Sequence, residues 1–428
     1  MFKIDSKKLK IDNKRIIKNK KPTTINITGD WTPFLEEVSN LMVKRKERYY
    51  GNLSSYFEKG DLNITNLETV IDIKSRKFNK SAPKIINKPQ VLSSLKSINT
   101  NLVCLANNHI MDNGVSGLKN TIKYLKKYKI NYVGAGFSQR EIYNPFLFKK
   151  NKQKIAIINT SEGEESNEKY NNNIGASFIE SYKVIDQIRF YKSKGYLVIL
   201  ISHAGVEFIP TPPPYIKEIY KNFVNEGADL VVGHHPHVPQ GFEIYKNAAI
   251  FYSIGNFTVW RQNLRKNCYH SFFLNLNIQD NKIANINLIP YQFSKNGVEL
   301  IPKSDFNKNL VELNNLLLKS NKIWKEYLFR KKSTGGYFLE SLSYLYNYYK
   351  YKNDYLHKYK TLSKKYIDLD YLQNNYQSDP KYKYILDRWE IKYEYNFLSV
   401  FKDIFKSLYI IMLIFKKIIK NIKSLIFK

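Results

Sequence analysis

The sequence predicts an α/β protein that ends in a helical C-terminal region. Two observations lead to this class. Short apolar runs typical of buried strands alternate with helical patterns from about residue 22 to residue 300. Polar motifs rich in His, Asp and Asn follow several of these runs directly, and strand ends are where α/β proteins place their sites.

Length and composition support a folded protein with a substantial core. The chain has 428 residues, of which 43% are hydrophobic and 15% aromatic, and these values exclude a mainly disordered protein. Only two cysteines occur, Cys104 and Cys268. This count excludes a disulfide scaffold and a zinc site made of four cysteines.

The net charge of +32 does not by itself indicate a nucleic-acid partner. Arg contributes only 10 of the 69 basic residues, and the excess of Lys with Asn, Ile and Tyr is typical of an AT-rich genome. Base edges and phosphates are mostly read by Arg, and no nucleic-acid motif accompanies the charge. We therefore expect no nucleic-acid partner, whereas attraction to an anionic polymer or an anionic membrane explains the charge equally well.

The chain begins with a basic segment, residues 1–21, which carries nine Lys or Arg and two Asp. We expect a solvated N-terminal arm here. Its charge is not followed by the apolar stretch of a secretory signal, so we expect no signal peptide. Pro22 marks the start of the α/β domain, for which we predict residues 22–300.

Within this domain the apolar runs and the helical patterns follow one another in order. The predicted strands are TTINITG from residue 23, then residues 61–68, 101–106, 154–160, 196–203, 228–235 and 249–257. The predicted helices cover residues 117–128, 180–195 and 215–227, the last two ending at glycine. Strand and helix alternation of this kind favours layers of helices on sheets.

The character of the sequence changes after residue 300. Residues 301–397 are rich in Tyr and Lys and predict a helical region, whose tyrosines fit either carbohydrate or peptide contacts or simple packing. Residues 398–428 form a basic amphipathic pattern, which we interpret as an in-plane membrane anchor. Docking on the protein's own core or an oligomer contact explains the same pattern. The longest uncharged run there has nine residues, against about 20 for a membrane span.

Three histidines in GHHPH (233–237) form the strongest candidate site. The strand ADLVV leads directly into His234, and His235 and His237 can reach adjacent metal positions from one turn. A second strand ends at His203, which is costly to bury without a partner or a metal, and Glu207 follows four residues later.

Further candidate ligands follow the other predicted strands. Asn107, Asn108 and His109 end the strand at 101–106, and Asn can act as a neutral ligand beside an acidic His. Asp30 and Glu68 end the first two strands. Two carboxylates at strand ends provide a terminal and a bridging ligand for a two-metal site, although either alone would also serve as a helix cap.

In combination these motifs resemble those of the calcineurin-like metallophosphoesterases, and most closely the CapA family of poly-γ-glutamate capsule biosynthesis proteins. The residues that carry the resemblance are TGDWTPF (28–34), DLNITNLE (61–68), LANNHIMDNGVSGLKNT (105–121), SHAGVEFIPTP (202–212), GADLVVGHHPHVPQGFE (227–243) and YSIGNF (252–257). The resemblance covers about residues 24–300. It implies a four-layer α/β/β/α sandwich with the C-terminal helical region as an appendage.

The resemblance also implies a role for each matching residue. The implied metal ligands are Asp30, Glu68, Asn108, His203, His235 and His237. His109 would act as the catalytic acid, and Glu207, the second predicted catalytic residue, would line the pocket. Asn107, His234 and Asn256 would line the site or support its ligands.

The sequence departs from the typical metallophosphoesterase at two positions. Such enzymes begin with Asp-x-His, but Thr32 occupies the second position after Asp30. The bridging acid is Glu68, one methylene longer than the usual Asp. We therefore expect one firm divalent metal, Mn, Zn or Fe, bound by Glu68, Asn108, His203 and His235. A second metal, bound by Asp30, Glu68 and His237, is expected to be weak or absent.

The resemblance implies a metal-dependent hydrolase that handles an anionic surface polymer, and the attacked centre is either a phosphoryl group or a γ-glutamyl amide. A divalent metal lowers the pKa of bound water and polarises the electrophile. The alternative is a catalytically degenerate subunit that binds the polymer or assembles with capsule synthesis subunits at the membrane. Whether the protein is the hydrolase or the degenerate subunit, we expect it at the membrane surface or in the cytoplasm.

Overall fold

The structure is a computed structural model that describes residues 2–13, 16, 21–46, 48–73, 84–163, 166–168, 171–260 and 268–323. The chain divides into two compact units, Met1–Ser320 and Asn321–Lys428. The predicted Tyr-rich region beyond residue 323 and the predicted amphipathic helix at 398–428 lie outside the described residues. The domain boundaries predicted from the sequence stay predictions.

Twenty strands and eight α-helices occur in the described residues. The strands are β1 Phe2–Asp5, β2 Lys10–Asn13, β3 Thr23–Trp31, β4 Leu62–Leu67, β5 Val70–Ile71, β6 Ile86–Asn87, β7 Leu102–Cys104, β8 Asn131–Val133, β9 Ala135–Gly136, β10 Phe146–Lys150, β11 Gln153–Ser161, β12 Gly175–Ala176, β13 Leu197–His203, β14 Leu230–His234, β15 Phe242–Tyr245, β16 Ala248–Phe251, β17 Asn256–Thr258, β18 His270–Gln279, β19 Lys282–Ser294 and β20 Gly297–Leu300. The helices are α1 Glu36–Lys44, α2 Ser54–Lys59, α3 Leu92–Ser97, α4 Gly114–Lys127, α5 Gln139–Tyr143, α6 Tyr182–Ser193, α7 Pro214–Asn225 and α8 Lys303–Leu318.

Two large sheets form the centre of the fold. The first has ten strands in the order β1-β2-β19-β18-β3-β4-β7-β8, with β17 paired to β3 and β20 to β19. The second has six strands in the order β10-β11-β13-β14-β16-β15. Strands β3, β4 and β7 are mutually parallel, and so are β11, β13, β14 and β16. Parallel strands need crossover connections, and the predicted helices provide several of them.

The two sheets pack face to face, with helices on both outer faces. One apolar cluster joins Ile25 and Ile64 of the first sheet to Ile199 and Val232 of the second. A second cluster joins the other face of the first sheet to α1, α2, α3 and α4. Helices α6 and α7 contact the second sheet. This is the predicted four-layer α/β/β/α sandwich.

The continuous apolar runs of the central strands are explained by this layering. Strand β13 is buried at every residue because a sheet or a helix covers each of its faces. Among the described residues no helix is both long enough and apolar enough to cross a membrane.

The first residues correct the prediction of a solvated arm. Strands β1 and β2 pair with each other, and β2 pairs with β19 through Ile11 and Ile286. Leu9 and Ile11 are 1% exposed and join the cluster between the sheets. Leu9 and Ile11 are therefore packed, although Lys residues lie beside them in the sequence.

A second correction concerns residues 249–257, predicted as one strand. The segment forms β16 in the second sheet and β17 in the first, so the chain crosses from one sheet to the other between them. The crossing is close: the amide of Asp30 donates to the carbonyl of Gly255 at 3.2 Å. A Cβ on Gly29 would lie 1.8 Å from the same carbonyl oxygen, so only glycine fits there.

Candidate metal centre

The polar motifs predicted from the sequence meet at one edge of the two sheets. Asp30 lies near the end of β3, Glu68 follows β4, and His203 ends β13. Because parallel strands end at the same edge, the topology brings these side chains together. The predicted ligands are all buried: Asp30, Glu68, Asn108, His203, His235 and His237.

The carboxylate of Glu68 lies at the centre of the cluster. Its Oε1 atom is 3.5 Å from Nε2 of His203 and 3.6 Å from Nε2 of His237. The Nε2 atom of His109 is 4.0 Å away. Glu68 therefore faces two separate imidazoles, which is the position that a bridging carboxylate requires.

One group of candidate ligands consists of Glu68, His203 and His235, whose ligand atoms all lie within 4.8 Å of one another. Nδ1 of His235 is 3.0 Å from Nε2 of His203. Oδ1 of Asn108 is 3.1 Å from the same Nε2 atom. We call these four residues the imidazole group, since two imidazoles, an amide oxygen and a carboxylate converge.

A second group consists of Asp30, Glu68 and His237, again within 4.8 Å. Oδ2 of Asp30 is 3.5 Å from Nδ1 of His237. We call these three residues the carboxylate group. Both groups contain Glu68, and their members are those assigned from the sequence to the two metal positions.

Asn256 fixes the orientation of the His237 ring. Its Nδ2 atom donates to the carbonyls of His237 and Cys268, at 3.1 and 3.3 Å, so its Oδ1 atom is the acceptor. Nδ1 of His237 lies 2.8 Å from that oxygen and is therefore the protonated nitrogen. Nε2 of His237 keeps its lone pair on the side of Glu68, as a metal ligand requires.

Asp112 orients His109 in a similar way. Oδ2 of Asp112 is 2.7 Å from Nδ1 of His109 and also accepts the amide of Ile85 at 2.7 Å. This leaves Nε2 of His109 directed toward Glu68. Asp112 is not among the residues that the sequence analysis predicts for the site. The signal that would have found this pair is their spacing of three residues within one turn.

Asn107 holds the strand ends together. Its side chain donates to the carbonyl of Leu67 at 2.9 Å and accepts the amide of His109 at 3.1 Å. The loop after β7 is thereby attached to the end of β4. Asn107 supports the position of His109 through the backbone.

Comparison with known proteins identifies the family. The sequence profile of the family described as "Bacterial capsule synthesis protein PGA_cap" matches residues 24–260, which is more than half of the chain. The chain belongs to this PGA_cap family. The CapA resemblance predicted from the motifs is thereby confirmed.

Relatives with assigned names match part of the chain. The capsule biosynthesis protein CapA of Bacillus anthracis is 29% identical over 249 residues, which are 56% of this chain and 60% of that protein. The PGA biosynthesis protein CapA of Bacillus subtilis is 33% identical over 165 residues, 38% of this chain and 43% of that protein. The chain thus spans about half the length of these curated relatives. Among solved structures, a Haemophilus influenzae NAD nucleotidase aligns over 68% of this chain and 55% of its own, with 15% identity and a TM-score of 0.39.

The protonation states in this PGA_cap protein suit metal binding. Burial alone would raise the pKa of Asp30, but the hydrogen bond and charge of His203, with His234 and His237, lower it well below its usual value. Burial lowers the pKa of His203, although Asp30 opposes the shift. A carboxylate and a neutral imidazole are the forms that bind a metal.

Asn66 is a member of the centre that sequence reasoning missed. Its Nδ2 atom donates to Oδ1 of Asp30 at 2.7 Å and lies 3.0 Å from Nδ1 of His203. Its Oδ1 atom accepts from Asn107 at 3.3 Å. The available signal was a polar residue at a completely buried strand position, two residues before Glu68.

Two predicted residues have different surroundings from the ligands. Glu207 is exposed and lies outside the buried cluster, because the chain leaves the sheet edge after His203 and turns at Phe208, whose φ is +63°. Its predicted catalytic role stays a prediction. His234 is buried with its Nδ1 atom 4.0 Å from Asp30, and neither ring nitrogen has a hydrogen-bond partner among the described residues. Burial lowers the pKa of His234 to about 4.

The backbone of GHHPH is held in an unusual conformation. His235 and His237 have φ values of +93° and +57°, a region that residues with a side chain rarely adopt. Each such residue costs about 1–3 kcal/mol, and surrounding contacts must maintain it. One such contact is the amide of His235, which donates to Oδ2 of Asp30 at 3.1 Å. The strain turns both imidazoles toward Glu68.

Proposed function

We propose that this PGA_cap protein is a metal-dependent hydrolase that acts in the biosynthesis or processing of an anionic capsule polymer such as poly-γ-glutamate. Membership of the family supports the capsule role. The observation that carries the hydrolase is the pair of donor groups that share Glu68. The bond attacked is a phosphoester or a γ-glutamyl amide.

The donor atoms fit a divalent transition metal. Imidazole with carboxylate and amide oxygen suits Mn, Zn or Fe, whereas a site for calcium or magnesium alone would be built from oxygen. The imidazole group would hold the first metal and the carboxylate group the second. When bound, such a metal polarises the electrophile and activates water.

His109 has the geometry of a general acid. Its Nδ1 atom lies 2.7 Å from the carboxylate of Asp112, and this contact fixes the direction of the Nε2 atom. The proton at Nε2 then lies on the side of Glu68, where it can be given to the leaving group. Asp112 acts as the positioning residue of this step.

The test is elemental analysis of the purified full chain beside His235→Ala, with His270→Ala as a control that changes a histidine outside both groups. We expect one firm equivalent of Mn, Zn or Fe in the wild type and the control, and its loss in His235→Ala. Metal-loaded protein is then assayed with phosphoesters and with γ-glutamyl oligomers. No metal in any of the three proteins, even after soaking, would contradict the proposal.

A degenerate subunit that binds the polymer without hydrolysing it is the second candidate, and Thr32 favours it. Thr32 is buried where a typical metallophosphoesterase has an imidazole, and its hydroxyl has no hydrogen-bond partner among the described residues. Metal-dependent turnover of any substrate in the assay would exclude this candidate. Metal-dependent nicking of DNA or RNA would instead indicate a nucleic-acid phosphodiesterase.

We also propose that residues 398–428 bind an anionic membrane surface, where capsule synthesis subunits would be met. The support is the basic amphipathic pattern of the sequence. Deletion of these residues should release the protein from anionic liposomes in a sedimentation assay. Unchanged sedimentation would favour docking on the protein's own core or an oligomer contact.

A further inference from the structure

A basic cavity lies between the end of α1 and the turn that joins β19 to β20. Its volume is about 440 Å³, and it is lined by Lys44, Arg45, Arg48, Tyr49 and Asn296. Among the described residues, no acid belongs to this lining. We call it the arginine cavity.

The three cations of the arginine cavity are exposed side chains. Within the described part of the chain, Lys44, Arg45 and Arg48 make no ion pair. The bias toward Lys that accounts for most of the basic charge does not account for two arginines here. Arg45 and Arg48 are two of only ten arginines in 428 residues. Arg presents a planar fork of donors that matches a carboxylate or a phosphate, which Lys does not.

The backbone around the cavity is held in a defined shape. The amides of Arg48 and Tyr49 both donate to the carbonyl of Arg45 at 2.8 Å, which forms a tight turn. The amide of Val298 donates to the carbonyl of Tyr49 at 2.8 Å, so the turn is attached to β20. Gly297 has a φ of +151°, and a Cβ there would lie 2.6 Å from that carbonyl oxygen. A preformed cavity loses less entropy when it binds a ligand.

Tyr49 connects the cavity to the strand that supports the metal centre. Its hydroxyl is 3.2 Å from Oγ1 of Thr258, in β17, and the carbonyl of Thr258 accepts the amide of Thr32 at 3.0 Å. Asn256, which orients His237, lies in the same strand. Burial raises the pKa of Tyr49 to about 12, so its hydroxyl adds no negative charge at neutral pH. The cavity is therefore attached to the metal centre by one short strand, although its lining contains none of the metal ligands.

We propose that the arginine cavity is an anion-binding site that holds free carboxylates of an anionic polymer while another part of the polymer is at the metal centre. The ligand class is a chain of closely spaced carboxylates. The identity of the polymer rests on the proposed function. The site itself rests on the three exposed cations, the two arginines among them and the backbone hydrogen bonds that attach this segment to β20.

Binding of a short γ-linked glutamate oligomer to the full chain, measured by isothermal titration calorimetry, tests this proposal. The double variant Arg45→Gln/Arg48→Gln removes two cations from the cavity. Lys126→Gln/Lys127→Gln removes two exposed cations from the end of α4 and is matched in charge. We expect at least about tenfold weaker binding for the arginine variant, as for loss of hydrogen bonds to a charged group, and little change for the lysine variant.

Three outcomes would overturn the proposal. Equal weakening in both double variants would mean general charge attraction by a protein of net charge +32. Unchanged binding in the arginine variant would mean that the oligomer binds elsewhere. Tighter binding of tripolyphosphate with the same dependence on Arg45 and Arg48 would make phosphate the ligand. Retained metal content and an unchanged melting temperature would show that the arginine variant is folded.

The same titration on His235→Ala separates this proposal from the proposed function. The cavity should bind the oligomer in that variant as in the wild type, because its lining contains no metal ligand. Absence of metal from the wild-type chain would contradict the proposed hydrolase. It would not contradict the anion-binding site, which the oligomer titration tests separately.

Discussion

The imidazole group and the carboxylate group share Glu68 but differ in what else they provide. The first adds two imidazoles and an amide oxygen, with His203 and His235 nitrogens 3.0 Å apart. The second adds one carboxylate and one imidazole, and the sequence has Thr32 at the second position after Asp30, where we expected a histidine in a typical site. Because metal affinity rises with the number of well-placed donors, we expect the imidazole group to bind a metal more tightly than the carboxylate group.

The supporting contacts differ as well. The side-chain amide nitrogen of Asn66 contacts both His203 and Asp30, so the two groups are connected at the strand ends. His237 depends on Asn256, which reaches the first sheet only because the chain crosses between the sheets before β17. The position of His237 in the carboxylate group therefore depends on β17, a strand that lies outside the β3 and β4 ends where Asp30 and Glu68 are found.

The largest expected effect is that of His235→Ala on the imidazole group. Loss of a ligand should weaken metal binding more than about 100-fold, since changes to residues that only orient a ligand already cost about 10- to 100-fold. Chelator competition on the full chain measures the affinity. The reciprocal variant His237→Ala should leave the firm metal in place. Retention of the firm metal by His235→Ala would contradict the stronger metal binding expected at the imidazole group.

The next effect concerns the stability of the folded protein at low pH. Its cause is His234, the buried histidine that belongs to neither group. His234 has a pKa of about 4 in the folded protein, against 6.5 for an ordinary histidine. The unfolded chain therefore binds a proton first as the pH falls. The contribution of neutral His234 to the free energy of unfolding is therefore complete above pH 6.5. It falls by about 3 kcal/mol as the pH is lowered from 6.5 to 4.

Urea unfolding of the metal-free chain between these pH values measures this decline. His234→Gln should flatten the pH dependence, while His270→Gln should leave it as in the wild type. A wild-type slope in His234→Gln would show that another group causes the acid sensitivity.

A smaller effect is expected for Asn256→Ala, which removes the acceptor for Nδ1 of His237. The ring loses its fixed orientation, and we expect about 10- to 100-fold weaker binding at the carboxylate group with no change at the imidazole group. Asn256→Asp keeps an acceptor and should retain more affinity. A metal titration that resolves two positions distinguishes these results, and an equal loss at both positions would mean a general disturbance of the centre.

The smallest effect is that of Thr32→Val on stability. The hydroxyl of Thr32 is buried without a hydrogen-bond partner in the described structure, so its removal should raise the free energy of unfolding by about 1 kcal/mol. Thr28→Val is the matched control, because the buried hydroxyl of Thr28 donates to the carbonyl of Ile64 at 3.2 Å. That variant should lose about 1 kcal/mol. A loss of metal in Thr32→Val would instead place the hydroxyl in the carboxylate group.

Much of the architecture could be predicted because each element carries a local pattern. The buried strands β11, β13 and β14 have continuous apolar runs, and α6 and α7 have apolar residues at helical spacing. The sequence analysis did not predict the N-terminal strands. Their alternation of apolar and polar residues is short, and it lies within a segment that carries nine basic residues. The split of residues 249–257 between two sheets was missed because an apolar run contains no information about which sheet it joins.

The sequence by itself determined the α/β class, the family and the residue types of the metal centre, since strand ends and their polar motifs are local features. Only the tertiary structure decided which of those residues meet. It brought Asn66 and Asp112 into the centre, left Glu207 at the surface, and divided the ligands into two groups around Glu68. The physical reason is that contact depends on sheet order, on the crossing at Gly255 and on the strained backbone of His235 and His237, and these arise from packing over the whole domain.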